Sequence, residues 1–118
     1  PKVDYLHLGS NNPGDEGIEI LASCDLFSEV KTLNLEQNGI TARGAKALAT
    51  SSALTKLTSL NLVDNRIGDQ GALAIANSDT LSNLTYLHLG GNLIKSEETK
   101  IALRESKKLT QLKTLKAF

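Results

Sequence analysis

Four stretches of this chain superpose at a fixed spacing, and no other feature limits its fold as strongly. They are Val3-Asp-Tyr-Leu6-His-Leu8-Gly-Ser-Asn11, Val30-Lys-Thr-Leu33-Asn-Leu35-Glu-Gln-Asn38, Leu57-Thr-Ser-Leu60-Asn-Leu62-Val-Asp-Asn65 and Leu84-Thr-Tyr-Leu87-His-Leu89-Gly-Gly-Asn92. A fifth opens at Leu112-Lys-Thr-Leu115. The starts at 3, 30, 57, 84 and 112 lie 27, 27, 27 and 28 residues apart. Two positions past each Asn stands Pro13, Ile40, Ile67 or Ile94, and four further on Gly17, Gly44, Gly71 or, out of pattern, Glu98. Self-similarity at this period marks an array of stacked units, none of which closes a core alone. Residues 1–118 read as one such domain, with units 3–29, 30–56, 57–83, 84–111 and a partial unit 112–118.

Within each unit the Leu-x-Leu core alternates with period 2, which predicts a short strand with one buried face. Helical signals follow: Ala45, Ala47, Leu48 and Ala49 in the second unit, Ala72, Leu73, Ile75 and Ala76 in the third. Thr41 and Asp69 are expected to cap these helices. Gly44 and Gly71 are expected to let helix approach strand. Phe27, Leu54, Leu81 and Leu109 return the chain to the core, and Cys24 is placed on the first helix as a small buried hydrophobe. Strand, helix and parallel strand cross over right-handed. The fold class is therefore α/β: a right-handed solenoid with a concave parallel sheet and helices on the convex side. The recurring Asn11, Asn38, Asn65 and Asn92 are expected to bond backbone groups of their own and neighbouring turns, because unpaired they would cost roughly 1–3 kcal/mol each.

The pattern L-x-x-L-x-L-x-x-N-x-I-x-x-x-G-x-x-x-L at 27–28 residues resembles the leucine-rich repeat family, and its helical units resemble the ribonuclease-inhibitor-like subclass. Gly44-Ala-Lys-Ala-Leu-Ala49 and Gly71-Ala-Leu-Ala-Ile-Ala76 are similar to the GALA-type repeats of bacterial effectors. The resemblance implies a binding scaffold: a protein-protein interaction module, an effector or a scaffold protein. It also implies one alternative, a regulatory accessory of an enzyme (GTPase activator or inhibitor-like), and a structural spacer stands beside these as a third reading. The location expected is cytoplasmic, or a host cell in the case of a secreted effector.

Twenty-one leucines against four aromatic residues give a core filled by one aliphatic shape. Thirteen basic and thirteen acidic residues cancel, which argues against a nucleic-acid or membrane-surface module. No apolar run approaches the ~18–20 residues of a spanning helix. Cys24 is the single cysteine and forms no internal disulfide. No phosphate-cradling loop, metal-ligand spacing or cofactor motif occurs, and Asn83-Leu-Thr85 reads as an accidental glycosylation match. A Ser59, His88, Asp64 grouping can be drawn, but strand alternation supplies it with no oxyanion hole, so no enzyme is expected.

Alternation turns the residues between the leucines onto the concave face. Another protein is the expected partner there, met by Tyr5, His7, Asn34, Glu36, Asn61, Val63, Tyr86 and His88. Tyrosine suits this role because it offers area and a hydroxyl at low entropic cost. His7 and His88 stand three strands apart, roughly 14 Å at ~4.8 Å per strand, too far to share a metal.

Charge runs along the array. Residues 1–29 hold one base and six acids, net −5; residues 30–94 hold five and four, net +1; residues 95–118 hold seven and three, net +4. A consensus strand at the front without a polar cap, and a charged fourth helix, predict the C-terminal part of a longer protein. Opposite charge at the two ends raises head-to-tail self-association as a second kind of contact.

Overall fold

The computed structural model describes residues 4–117. Five three-residue strands, β1 (Tyr5–His7), β2 (Thr32–Asn34), β3 (Ser59–Asn61), β4 (Tyr86–His88) and β5 (Thr114–Lys116), form one parallel sheet in the order β1-β2-β3-β4-β5. Between them lie four helices, α1 (Gly14–Ala22), α2 (Ala42–Ala49), α3 (Gly68–Ala76) and α4 (Glu97–Arg104), with a 3-10 turn at Asp25–Phe27. The register runs Leu6, Leu33, Leu60, Leu87, Leu115 across the sheet, so equivalent residues of every unit stand side by side. Leu33, Leu60 and Leu87, with Leu35, Leu62 and Leu89, are fully enclosed between sheet and helices. Leu6, Leu8 and Leu115 pack against that core but remain half-buried at the two sheet edges.

Two ladders of side chains bind one unit to the next. In the first, Asn65 Oδ1 accepts the N–H groups of Asn38 (2.9 Å) and Ile40 (3.1 Å) from the preceding unit. Its Nδ2 donates to the carbonyls of Leu35 (3.0 Å) and Leu62 (2.9 Å). Asn38 and Asn92 repeat the scheme, and all three are buried. Asn11 is exposed, and among the described residues its side chain donates only to the Gly9 carbonyl of its own turn.

The second ladder lies at the helix exits. Ser51, Ser78 and Ser106 donate to the carbonyls of Ala22, Ala49 and Ala76, the ends of the preceding helices, and accept N–H groups of their own turns. Cys24 occupies this column in the first unit. It is therefore not on α1, as expected, but in the turn beyond it, half-buried. Ser23 ends the helix by donating back to the carbonyls of Glu19 and Ile20.

Thr41 caps α2 as expected, accepting from the Arg43 N–H. Asp69 does not cap its own helix. Its carboxylate accepts the N–H groups of Lys95 and Ser96 (both 3.0 Å), one unit ahead. Asp15 does the same for α2, taking the Thr41 and Gly44 N–H groups at 2.9 Å and the Thr41 hydroxyl at 2.6 Å. Each of these acids follows a glycine, Gly14 or Gly68, held at φ +67°, and the intervening units lack the pair. Gly71 serves the approach of helix to helix rather than helix to strand. A Cβ there would lie 3.1 Å from the Ala42 backbone and from Ala45, besides striking Ile67.

Burial pushes the Asp15 carboxyl up, but the Thr41 hydroxyl, the two N–H groups and the Arg43 charge outweigh it and hold the group below the usual carboxylate range. A depressed carboxyl stabilises the fold above its unfolded value, and the contribution disappears as pH falls through the folded one. Asp15→Ala is expected to cost about 1 kcal/mol at neutral pH, and the gap to wild type to close below about pH 4; urea titrations at both pH values measure it. Asn65→Ala, which strips four buried backbone groups of their partner, should cost about 2–4 kcal/mol in the same assay, and Asn11→Ala close to nothing.

Candidate functional site

The concave face is built by the two outward columns of the sheet. One holds Tyr5, Thr32, Ser59, Tyr86 and Thr114; the other holds His7, Asn34, Asn61, His88 and Lys116. Glu36 and Val63 follow two residues after Asn34 and Asn61, where the strands end. All eight residues expected on this face therefore share one surface, spread across four neighbouring strands. Tyr5 is 57% exposed, while Tyr86 is half-buried among its neighbours. The Tyr86 and His88 rings meet edge to face at 6.4 Å and 70°, and the Lys116 ammonium sits 5.8 Å from the Tyr86 ring centre. Such contacts fix the ring in place before any partner arrives. Phe118, which the same alternation in the sequence would turn onto this face, lies outside the described residues.

The second column carries a role that the sequence reading missed. His7 Nδ1 accepts the Gly9 N–H at 3.1 Å, Asn34 Oδ1 the Glu36 N–H at 3.1 Å, Asn61 Oδ1 the Val63 N–H at 3.0 Å and His88 Nδ1 the Gly90 N–H at 3.2 Å. At each strand exit the N–H two residues on has lost its sheet partner, and the side chain supplies one. Only Asn and His occupy the column in these four units, and both place an acceptor at the same reach from the backbone. That restriction was the available signal.

The acceptor's engagement fixes what remains. An imidazole whose Nδ1 accepts carries its proton on Nε2, and an amide whose Oδ1 accepts turns its NH2 outward. The face therefore presents a row of donors: His7 Nε2–H, the Asn34 and Asn61 NH2 groups, His88 Nε2–H and the Lys116 ammonium.

The drawn Ser59, His88, Asp64 grouping is not assembled. His88 aligns with Asn61 and Lys116, Ser59 aligns with Tyr86, and the His88 Nδ1 serves Gly90 instead of Asp64. Among the described residues no three of His, Cys, Asp and Glu gather to hold a metal ion, and no helix is long and apolar enough to cross a membrane. An open groove of about 470 Å³ between α2 and α3, lined by Ala42, Arg43, Lys46, Gln70, Leu73 and Ala74, lies on the helical side.

A leucine-rich repeat family model matches residues 30–49 and 53–76. Among solved structures the chain is similar to Leiomodin-1 Actin-Binding Site 2, at 24% identity, covering 97% of this chain and 69% of that one, with a TM-score of 0.81. It is also similar to the tropomodulin C-terminal domain of Caenorhabditis elegans, at 12% identity, covering 98% and 74%, with a TM-score of 0.75. No curated protein matches the sequence. The fold is that of the leucine-rich repeat proteins.

Because Asn already fills the second column in two units, His88→Asn should leave stability within about 0.5 kcal/mol of wild type, whereas His88→Ala, which orphans the Gly90 N–H, should cost about 1 kcal/mol. Thermal unfolding of the two variants side by side checks the assignment.

Proposed function

We propose that this chain is a protein-binding module whose partner lies along the concave sheet. The donor row supports this reading most directly. Five donors stand in register on a surface whose backbone is already satisfied, so a partner offering carbonyl or carboxylate acceptors would meet groups that need little reordering. Tyr5 and Tyr86 add apolar area near the two ends of the row, and Glu36 and Val63 border it at the strand exits. The site residues are thus Tyr5, His7, Asn34, Glu36, Asn61, Val63, Tyr86 and His88, with Lys116 added.

A regulatory accessory acting through a concave arginine has less to support it. Arg43 lies on α2, bound to Glu19 at 2.6 Å, Arg66 follows Asn65 in the turn, and Arg104 is on α4. The ribonuclease-inhibitor-like and GALA-like assignments rest on unit length and on the Gly-Ala-x-Ala segments. The bacterial effector reading, and with it a host-cell location, rests on the same segments.

The similar leiomodin segment is named an actin-binding site, which makes actin the first probe. With the chain immobilised and actin monomers titrated over it, the reading expects saturable binding. It also expects the Tyr5→Ala, Tyr86→Ala double variant to bind at least about tenfold more weakly with an unchanged melting curve. Equal binding by both proteins would place the contact off this face; no binding by either would reject actin as the partner.

A further inference from the structure

We propose that Asn38-Gly39 is a site of spontaneous deamidation, shut while the first and second units are joined and opened when they part. The chain holds a single Asn-Gly pair, and its Asn38 is also a ladder residue, fully buried. The fold itself favours glycine after it. The residue following the ladder asparagine takes a left-handed backbone at Asn12 (φ +51°), Gly39 (φ +66°) and Leu93 (φ +63°). A Cβ at Gly39 would in addition lie 3.0 Å from the Asn12 Oδ1. Glycine meets both demands without strain. It also leaves its amide nitrogen unshielded by a side chain, which eases attack on the neighbouring Asn carboxamide.

The step exchanges bonds at one carbon. The Gly39 nitrogen bonds to Asn38 Cγ, the Cγ–Nδ2 bond breaks, and the NH2 group leaves as ammonia with the Gly39 proton. Water then opens the cyclic imide at either carbonyl, giving aspartate or isoaspartate; no electrons are transferred. In the closed array the step is blocked. Nδ2 donates to the carbonyls of Leu8 (2.9 Å) and Glu36 (3.0 Å), and Oδ1 accepts the Asn12 N–H at 2.7 Å. Leu8 and Asn12 belong to the first unit, so uncovering Asn38 requires that unit to part from the second. Proline weakens this junction. Asn65 and Asn92 accept the N–H groups of Ile40 and Ile67, whereas the equivalent residue of the first unit is Pro13, which has none. A carboxylate formed at this place has no hydrogens for the Leu8 and Glu36 carbonyls, so the units do not close on it again. Tyr5 and His7 then leave the concave face with the first unit, a consequence that rests on the binding reading above; the modification itself does not.

The chain is incubated at neutral pH, folded or in guanidinium chloride, and mass spectrometry follows amide, aspartate and isoaspartate at position 38. Conversion should be at least about tenfold slower in the folded chain. Asp15→Ala removes the carboxylate that clasps the first unit to α2. Folded by its melting curve, this variant should convert about fivefold faster than wild type, the rate following the opening it eases. Asp69→Ala removes the matching clasp between α3 and α4 and should stay within about twofold of wild type, because opening there leaves Asn38 covered. Converted chain, separated by its added charge, should be cut by a protease within the first unit at least about tenfold faster than unconverted chain. Any one of five results would overturn the proposal: equal conversion folded and denatured, no conversion in denaturant, Asp15→Ala at the wild-type rate, Asp69→Ala as fast as Asp15→Ala, or converted chain that resists the protease as before. No partner is present in any of these measurements, so the proposal and the binding reading fail separately.

Discussion

Each unit of this chain makes two sharp exits, one from a strand and one from a helix, and at both the backbone turns polar groups toward an aliphatic interior. The fold depends on a side chain standing ready at each exit. The buried Asn38, Asn65 and Asn92 serve the strand side, Ser51, Ser78 and Ser106 the helix side, and both sets reach across to the preceding unit. Leucine packing supplies most of the burial, yet it is directionless. The ladders hold the coils at one pitch. Ion pairs between neighbouring units, such as Lys56 with Glu29 and Lys108 with Asp79, lie at the surface and add little.

The concave face inherits its character from the same requirement. The column that satisfies the N–H two residues on is filled by His7, Asn34, Asn61 and His88, and the atoms these side chains leave over are donors. The donor row here is a by-product of strand termination. The acceptors hold the backbone, and the donors are what another molecule would meet.

Much of this was legible in the residues. Register, core leucines, the Asn ladder and the membership of the concave face all follow from repetition combined with period 2, because a 27-residue shift maps each side chain onto its equivalent in the next coil. What escaped was information that crosses units. The serine column looked ordinary because Cys24 interrupts it and because the carbonyls it meets lie 29 or 30 residues back. Asp69 looked like a local cap because its true partners, Lys95 and Ser96, are 26 and 27 residues ahead. In the fourth unit the buried position after Thr99 is filled by Leu103 rather than Ala102, the column that Leu48 and Ile75 hold. An irregular unit thus obscures its own alignment.

The forward-reaching carboxylates divide the array into couples. Gly14-Asp15 and Gly68-Asp69 lead, and the helices beginning near Thr41 and Lys95 receive. Excising the second unit alone would bring Asp15 beside Asp69, two like charges where a hydroxyl and free N–H groups are wanted. Excising the second and third together would set Asp15 against Lys95 and Ser96, the partners Asp69 already has. By this arithmetic the array should tolerate excision of the second and third units together better than excision of the second alone.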